Sequence, residues 1–447
     1  MKRVSSDNRP AKLQRLDDFR RQVPHVSASA LSQILQKTID GIPELLGRRE
    51  MREARDYQIN EVTPYGPLLS HLQLECKDGS FQRLAFINPF AQLYVAAKRC
   101  EGFAALLEDR LRLKPNSWDD PWGLILYSDE VAPGNQLSHH NARKAWAIYF
   151  SILEFGMSVL SDEEAWFCTA AERSDRVSTA VGGIGQVFTA LLKHLFGTAG
   201  HTLHHSGILL EFPNGVKHRL FLNLKMVIQD GAAHKFVYFL KGDSGDRFCI
   251  ECRTLTAVRS GVYAREDDDA DPTEQLRCNL VLRRDMDMAN DADVRGTVHR
   301  LAHVPRAELA LREQACGVVH NKFNMLLEPS LDHVVQPITQ KAVDWMHALV
   351  VHGVWNTVLF LVLTALVAAG HTTIIDDINV FILAWTLPRR RATNMRGLAS
   401  AFNKARWKAA KKVNYVKCMA SDALSLYSII CFYLMSVFHR AGVCSGN

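Results

Sequence analysis

Disulfide chemistry is the first thing this sequence lacks. Ten cysteines are scattered through 447 residues and only Cys249 and Cys252 are closely paired. No disulfide framework is expected, and a reducing intracellular compartment is the default. The opening residues, Met1-Lys-Arg-Val-Ser-Ser-Asp-Asn-Arg9, hold no apolar stretch, so no secretory signal is expected. The N-terminal region also lacks a zinc-finger or helix-turn-helix pattern. Apolar residues are not scarce: 47% hydrophobic and 22% charged are ordinary globular values, which excludes wholesale disorder. The length leaves room for two or three domains, or for one large enzyme with insertions.

Acid is missing from one place in particular. Residues 389–412 carry nine Lys or Arg and no Asp or Glu, within a chain of net charge +6. A block of this kind suggests a polyanionic partner, against the alternative of a solvated helix face. Arg396, Lys404, Arg406, Lys408, Lys411 and Lys412 fall off an apolar seam of Met395, Leu398, Phe402 and Ala405, as phosphate-contacting residues would. Arg389, Arg390 and Arg391 read either as DNA contacts or as a nuclear import signal. Two apolar runs, 351–369 and 424–438, flank this block. They are read as buried core helices, with membrane spans as the alternative.

The chain is organised around Trp122-Gly-Leu-Ile-Leu-Tyr-Ser-Asp-Glu-Val131. A short apolar run bounded by turn residues predicts a buried strand, here ending on Asp129 and Glu130. Apolar runs at 145–155 and 165–170 predict two more strands. A helix follows at 177–196 on the spacing of Val181, Ile184, Val187, Phe188, Leu191, Leu192 and Leu195. After a hairpin signal, a long strand at 219–230 ends on Asp230. Three meandering strands, a helix and a further strand is the order of an RNase H-like fold. In that fold the first and fourth strands are neighbours, which would bring Asp129 and Asp230 together to bind a pair of Mg²⁺ ions for phosphodiester chemistry.

The expected organisation is an α/β protein in four stretches. Residues 1–118 are helical with short strands, with a helix at 90–112, and residues 119–240 are the first part of the core. Residues 241–340 are an insertion containing Cys249-Ile-Glu-Cys252, and residues 341–447 are helical and complete the core. Cys249 and Cys252 are half of a zinc site, with His320 and His347, or Cys278 and Cys316, as partners. Asp344 and His347 stand at i, i+3 on a predicted helix and share a face. The histidines His139, His140, His201, His204 and His205 sit in predicted loops with no carboxylate at ligand spacing and read as surface residues.

Leu126-Tyr-Ser-Asp-Glu130, the strand-terminal Asp230, Cys249-x-x-Cys252 and Asp344-Trp-Met-His347 occur in that order. In this order they resemble the motifs of DDE/D cut-and-paste transposases of eukaryotic DNA transposons, in the Plavaka, Kyakuja–Dileera–Zisupton and CACTA-like group. The resemblance covers about 120–430. It implies catalytic carboxylates at Asp129, Asp230 and a third position on a late helix, for which the candidate is Asp422, where a Glu is expected. Glu130 is a reserve ligand, and Asp344 and His347 are accessory. Mg²⁺ or Mn²⁺ would be the cofactor, with Zn²⁺ at the cysteines. The implied partners are transposon-end and target DNA and further copies of the chain, in the nucleus, with no small-molecule substrate. A catalytically inactive DNA-binding descendant is the alternative within the same resemblance, and an integral membrane protein is the alternative outside it.

Overall fold

The computed structural model describes residues 62–131, 144–197, 200–253, 255, 288–350, 353–386, 395–418 and 420–439. The predicted helical pattern at 31–42, the acidic segment 265–274, Cys278, His139, His140 and Arg389 to Arg391 lie outside them. The chain forms two compact units, 1–227 with 233–341, and 228–232 with 342–447.

In the first unit a short antiparallel pair, Val62–Thr63 with Gly66–Pro67, precedes a hairpin of β1 (Leu69–Glu75) and β2 (Phe81–Ile87), paired antiparallel. Two helices follow, α1 (Pro89–Arg99) and α2 (Glu101–Leu113). Asn88 caps α1 by accepting a hydrogen bond from Phe90 N, and Pro89 occupies the first turn, where its missing N–H costs nothing. The single helix predicted over 90–112 is therefore two, broken at Cys100, which adopts an extended conformation.

The predicted strands appear as β3 (Trp122–Val131), β4 (Ala145–Ile152) and β5 (Phe167–Arg173), an antiparallel meander. Next come α3 (Ser174–Thr179) and α4 (Gly183–Phe196). The helix predicted over 177–196 is interrupted because Gly182 and Gly183 break the pattern, with Gly183 at φ +51. A hairpin of β6 (Ile208–Glu211) and β7 (Lys217–Leu220) leads into β8 (Leu222–Gln229), then α5 (Gly231–Val237). Helices α6 (Asp291–His303) and α7 (Arg306–Cys316) precede a short strand, β9 (Lys341–Val343). The segment 241–340 thus contains two helices as well as loops.

The main sheet has the order β9-β8-β3-β4-β5. The first residues of β3 and β8 meet, with Trp122 N donating to Phe221 O at 3.0 Å. Residues of β8 and β9 climb together: Val227 N donates to Gln340 O, and Asp344 N to Gln229 O. The sheet is therefore mixed, a parallel pair joined to an antiparallel meander. Its core is apolar on both faces at the start of β3, where Trp122, Leu124, Ile125 and Leu126 are fully buried, and α4 contributes Val187, Phe188, Leu191 and Leu192. The end of β3 emerges: Tyr127, Asp129 and Glu130 are half-buried.

In the second unit, β9 leads to α8 (Trp345–Leu349), α9 (Val354–Ala368), α10 (Ile374–Ala384), α11 (Met395–Ala399), α12 (Lys404–Val413) and α13 (Ala420–Leu434). The stretch from 341 on, predicted to be helical, begins instead with strand β9. A second apolar core of Leu359, Phe360, Leu363, Ile378, Ile382, Leu398, Phe402, Leu426 and Ile429 holds these helices together. By length and composition one stretch of the described residues, Trp345–Ala368, could cross a bilayer, while Asp422–Val437 is shorter. The window within Trp345–Ala368 is 31% buried. Val354, Val358 and Leu361 are exposed.

Candidate active site

Strand geometry decides where the first carboxylates go. Adjacent residues of β3 project to opposite faces, so Asp129 and Glu130 cannot serve the same centre. Asp129, on the face shared with Tyr127, lies 3.4 Å from the Tyr127 hydroxyl. Burial, the Cys168 thiol and the Asp129 charge together push the Tyr149 phenol above its ordinary value. Glu130, on the other face, is bonded at 2.8 Å by the Lys144 ammonium. Burial works to raise the Glu130 carboxyl, but Lys144, together with the Ser174 hydroxyl, outweighs it and holds the group below the usual range. Glu130 lines a cleft of about 870 Å³ together with Lys77, Lys235, Lys241, Trp146 and the Gly182–Gly183 turn.

In the second unit, three side chains singled out by the sequence converge. Asp344 caps α8, accepting from Met346 N at 2.8 Å with Oδ1. Its other oxygen, Oδ2, is 2.9 Å from His347 Nδ1. The opposite ring nitrogen, Nε2, lies 3.9 Å from Asp230 Oδ2. The i, i+3 spacing read from the sequence does share a face, and the imidazole stands between two carboxylates. Asp344 fixes the tautomer: Nδ1 carries the proton it donates, so Nε2 presents its lone pair, or a second proton, toward Asp230. At 3.9 Å the Asp230 gap is too long for a hydrogen bond.

Asp422 stands in the first turn of α13. Burial lifts its carboxyl above the ordinary Asp value, while Arg406 pulls the other way. Cys418 is close enough that burial and the Asp422 charge push its thiol up to about 11. Asn356 completes this environment, donating to Val416 O at 2.9 Å and to Cys418 Sγ at 3.4 Å.

The basic block is partly described. Asn403 caps α12 by accepting from Arg406 N, which resets the helical phase after the 3₁₀ turn Ser400–Phe402. The predicted seam holds at Leu398 and Phe402, both buried. It fails at Ala405, which is exposed, because the new phase buries Ala410 instead. Arg396, Lys404, Arg406, Lys408, Lys411 and Lys412 are all exposed, with Lys404 4.0 Å from Asp376 and the Lys411 ammonium 6.0 Å from the Trp407 ring centre.

Cys249 is half-buried, and burial raises its thiol above the usual value. Cys252 is buried and paired through its backbone with Met288. Cys316, a suggested partner, is buried with its thiol toward the Glu313 and Val318 carbonyls. Among the described residues these cysteines do not form a set of three or more converging metal-ligating side chains. That arrangement is found at His204, His205 and His333. The reading of these loop histidines as surface residues is corrected for His204, which is only 8% exposed. The sequence signal was incomplete because His333 lies 129 residues from His204.

No protein-family model matches the sequence, and no curated protein matches it.

Proposed function

We propose that the chain is a metal-dependent DNA strand nuclease and transferase of the DDE/D transposase type, built on an RNase H-like sheet. The observation that carries this reading is the strand order β9-β8-β3-β4-β5. In chain order this is fifth, fourth, first, second, third, with α4 between the third and fourth strands once the β6–β7 hairpin is set aside. Asp129 lies on the first strand and Asp230 directly follows the fourth, its neighbour in the sheet.

Half-buried carboxylates on rigid strands suit a hard divalent cation, which prefers oxygen ligands. Asp129 and Asp230 are the residues that would hold Mg²⁺ or Mn²⁺, with Asp422 as the proposed third. When bound, such ions lower the pKa of water and stabilise a leaving oxygen. The chain's own contribution is positional. Asp344 orients His347, and His347 keeps a ring nitrogen beside Asp230, where it steadies that carboxylate or moves a proton at Nε2. Glu130, on the opposite face, has no part in this centre. The cleft with Lys77, Lys235 and Lys241 and the exposed cations of α12 supply positive charge for a phosphate backbone. The fit to transposon ends and target DNA, a nuclear location and assembly of several copies belong to the same proposal.

A nicking assay on supercoiled DNA with Mg²⁺ or Mn²⁺ tests it. The expected result is metal-dependent nicking by the full chain, lost in Asp129→Asn and Asp230→Asn. Absence of nicking, or nicking that survives both substitutions, overturns it. One specific observation favours a second reading, an inactive DNA-binding descendant. Asp422 already lies in the field of the Arg406 cation, whose charge opposes a divalent ion at the same carboxylate. DNA binding without nicking would select that reading.

A further inference from the structure

We infer that His204, His205 and His333 form a transition-metal site in the first unit, suited to Zn²⁺ and separate from the carboxylate chemistry proposed above. The three side chains each offer one ring nitrogen, and these nitrogens all lie within 4.8 Å of one another. His204 Nε2 and His333 Nε2 are 3.1 Å apart. Two imidazoles on one tetrahedral Zn²⁺, with bonds of about 2.0–2.1 Å, place their nitrogens roughly 3.3 Å apart. The pair is therefore already close to ligand spacing. Imidazole nitrogens without a carboxylate select zinc, copper, nickel or cobalt over magnesium or calcium. Three neutral ligands leave a fourth position for water or another donor.

The segments that carry these rings are held from several sides. Thr202 organises the turn bearing His204 and His205: its Oγ1 accepts from His205 N and Ser206 N, and its carbonyl accepts from Ser206 Oγ and Gly207 N. Leu203 ties the turn to α4 through Leu195 O, and Leu222 N returns to Leu203 O. The turn bearing His333 is clamped by Arg295, which donates to Asp332 Oδ1 at 2.6 Å, Asp332 O at 3.0 Å and Val335 O at 2.6 Å. Locked supports of this kind are what a preformed site requires. One element of the usual arrangement is missing: His204 Nδ1 is buried with no hydrogen-bond partner. An acceptor on the far ring nitrogen of a metal-ligating histidine typically strengthens a site by about 10- to 100-fold, so this one is expected to bind zinc correspondingly less tightly than a fully buttressed centre.

His205 supplies a built-in reporter. Its Nδ1 accepts from the Trp118 indole N–H at 3.4 Å. A metal on Nδ1 takes that lone pair. A metal on Nε2 instead moves the ring proton to Nδ1, opposite the indole N–H. Either mode breaks the Trp118 contact.

The test is Zn²⁺ titration of the purified full chain by equilibrium dialysis, repeated with Co²⁺ to read its visible absorption. One equivalent of Zn²⁺ is expected, along with a tetrahedral Co²⁺ spectrum that lacks a thiolate charge-transfer band. A large excess of Mg²⁺ should not displace the ion. His333→Gln and His205→Gln, both at exposed positions, should weaken binding at least about tenfold while circular dichroism stays unchanged. His204→Gln should do the same, and the exposed pair keeps the test valid if this buried variant fails to fold. Cys249→Ser with Cys252→Ser should leave binding unchanged. Trp118→Phe should remove the fluorescence response to Zn²⁺ and retain the binding. No Zn²⁺ uptake, uptake indifferent to the histidine variants, or a thiolate band lost with the cysteines overturns the inference. Neither result depends on DNA nicking, so failure here and failure of the proposed function are distinguishable.

Discussion

His347 shows how much a single side chain can be asked to do. Its Nδ1 is held by Asp344 and its Nε2 faces Asp230. A positioned imidazole of this kind is worth about 10²- to 10⁴-fold in rate when it moves a proton. In the nicking assay His347→Ala should therefore lower the rate by about 10²-fold or more. Asp344→Asn is the more discriminating change. Asn caps helices as well as Asp, so the Met346 bond and the melting temperature should be kept. The imidazole loses its carboxylate partner, and the pH–rate profile should move. A melting temperature that falls with no change in the profile would make Asp344 a cap and nothing more. The i, i+3 relation was legible in the sequence. The third member was not, because Asp230 reaches the pair through strand pairing more than a hundred residues away.

A second residue couples burial to pH. His234 is buried, and burial, aided by Lys341, pushes its imidazole down to about 3. Its Nε2 has no hydrogen-bond partner. Between about pH 6.5 and 3 the unfolded chain binds a proton at this position that the folded chain refuses, so stability falls as pH falls through that window. Above pH 7 the group contributes no slope. The slope from this residue is at most about 1.4 kcal/mol per pH unit. Urea unfolding at pH 7.5 and pH 5 should show the loss, and His234→Phe should shrink it while leaving stability at pH 7.5 equal or higher. An unchanged difference between the two pH values in His234→Phe would exclude this histidine as the cause.

At the scale of elements, the sequence predicted where strands and helices lie better than where they break. Helical spacing of apolar residues marked α4, and short continuous apolar runs marked β3 and β4, which bury consecutive residues. The interruptions at Cys100, Gly182–Gly183 and Asn403 left helical spacing nearly intact, so each helix was read as longer than it is. Strand β9 escaped because three residues carry too little pattern, and what makes it a strand is its partner β8. Gly185 illustrates a constraint of packing alone. A Cβ there would lie 2.5 Å from Phe239 Cζ and 3.0 Å from Phe236 O. Phe239 has little freedom to retreat, with its backbone at φ +56 and its carbonyl accepting from Val319 N at 2.7 Å. Overpacking of this kind costs about 1–3 kcal/mol. Gly185→Ala should lower the midpoint of unfolding accordingly, although Ala is the better helix former. A rise in the midpoint would show that Phe239 moves aside freely.

Charge is the property that belongs to the whole molecule. A net charge of +6, with nine cations and no acid in 389–412, leaves the remainder of the chain at −3. The densest run of positive charge is therefore that block, and Lys404–Val413 within it is an exposed helix. Lys408, Lys411 and Lys412 are exposed on α12, away from buried Ala410. Each phosphate contact releases condensed counterions and adds about 0.9 to the slope of log K against log salt on duplex DNA. Replacing these three lysines with alanine should flatten that slope by roughly 2.7 and weaken binding at low salt equally for unrelated DNA sequences. Circular dichroism should be unchanged, since alanine favours helix and none of the three is buried. A slope that stays the same would mean that α12 is a solvated surface and that the phosphate contacts, if the chain makes them, lie in the Lys77, Lys235 and Lys241 cleft. The same titration on those three lysines would then decide which surface meets DNA.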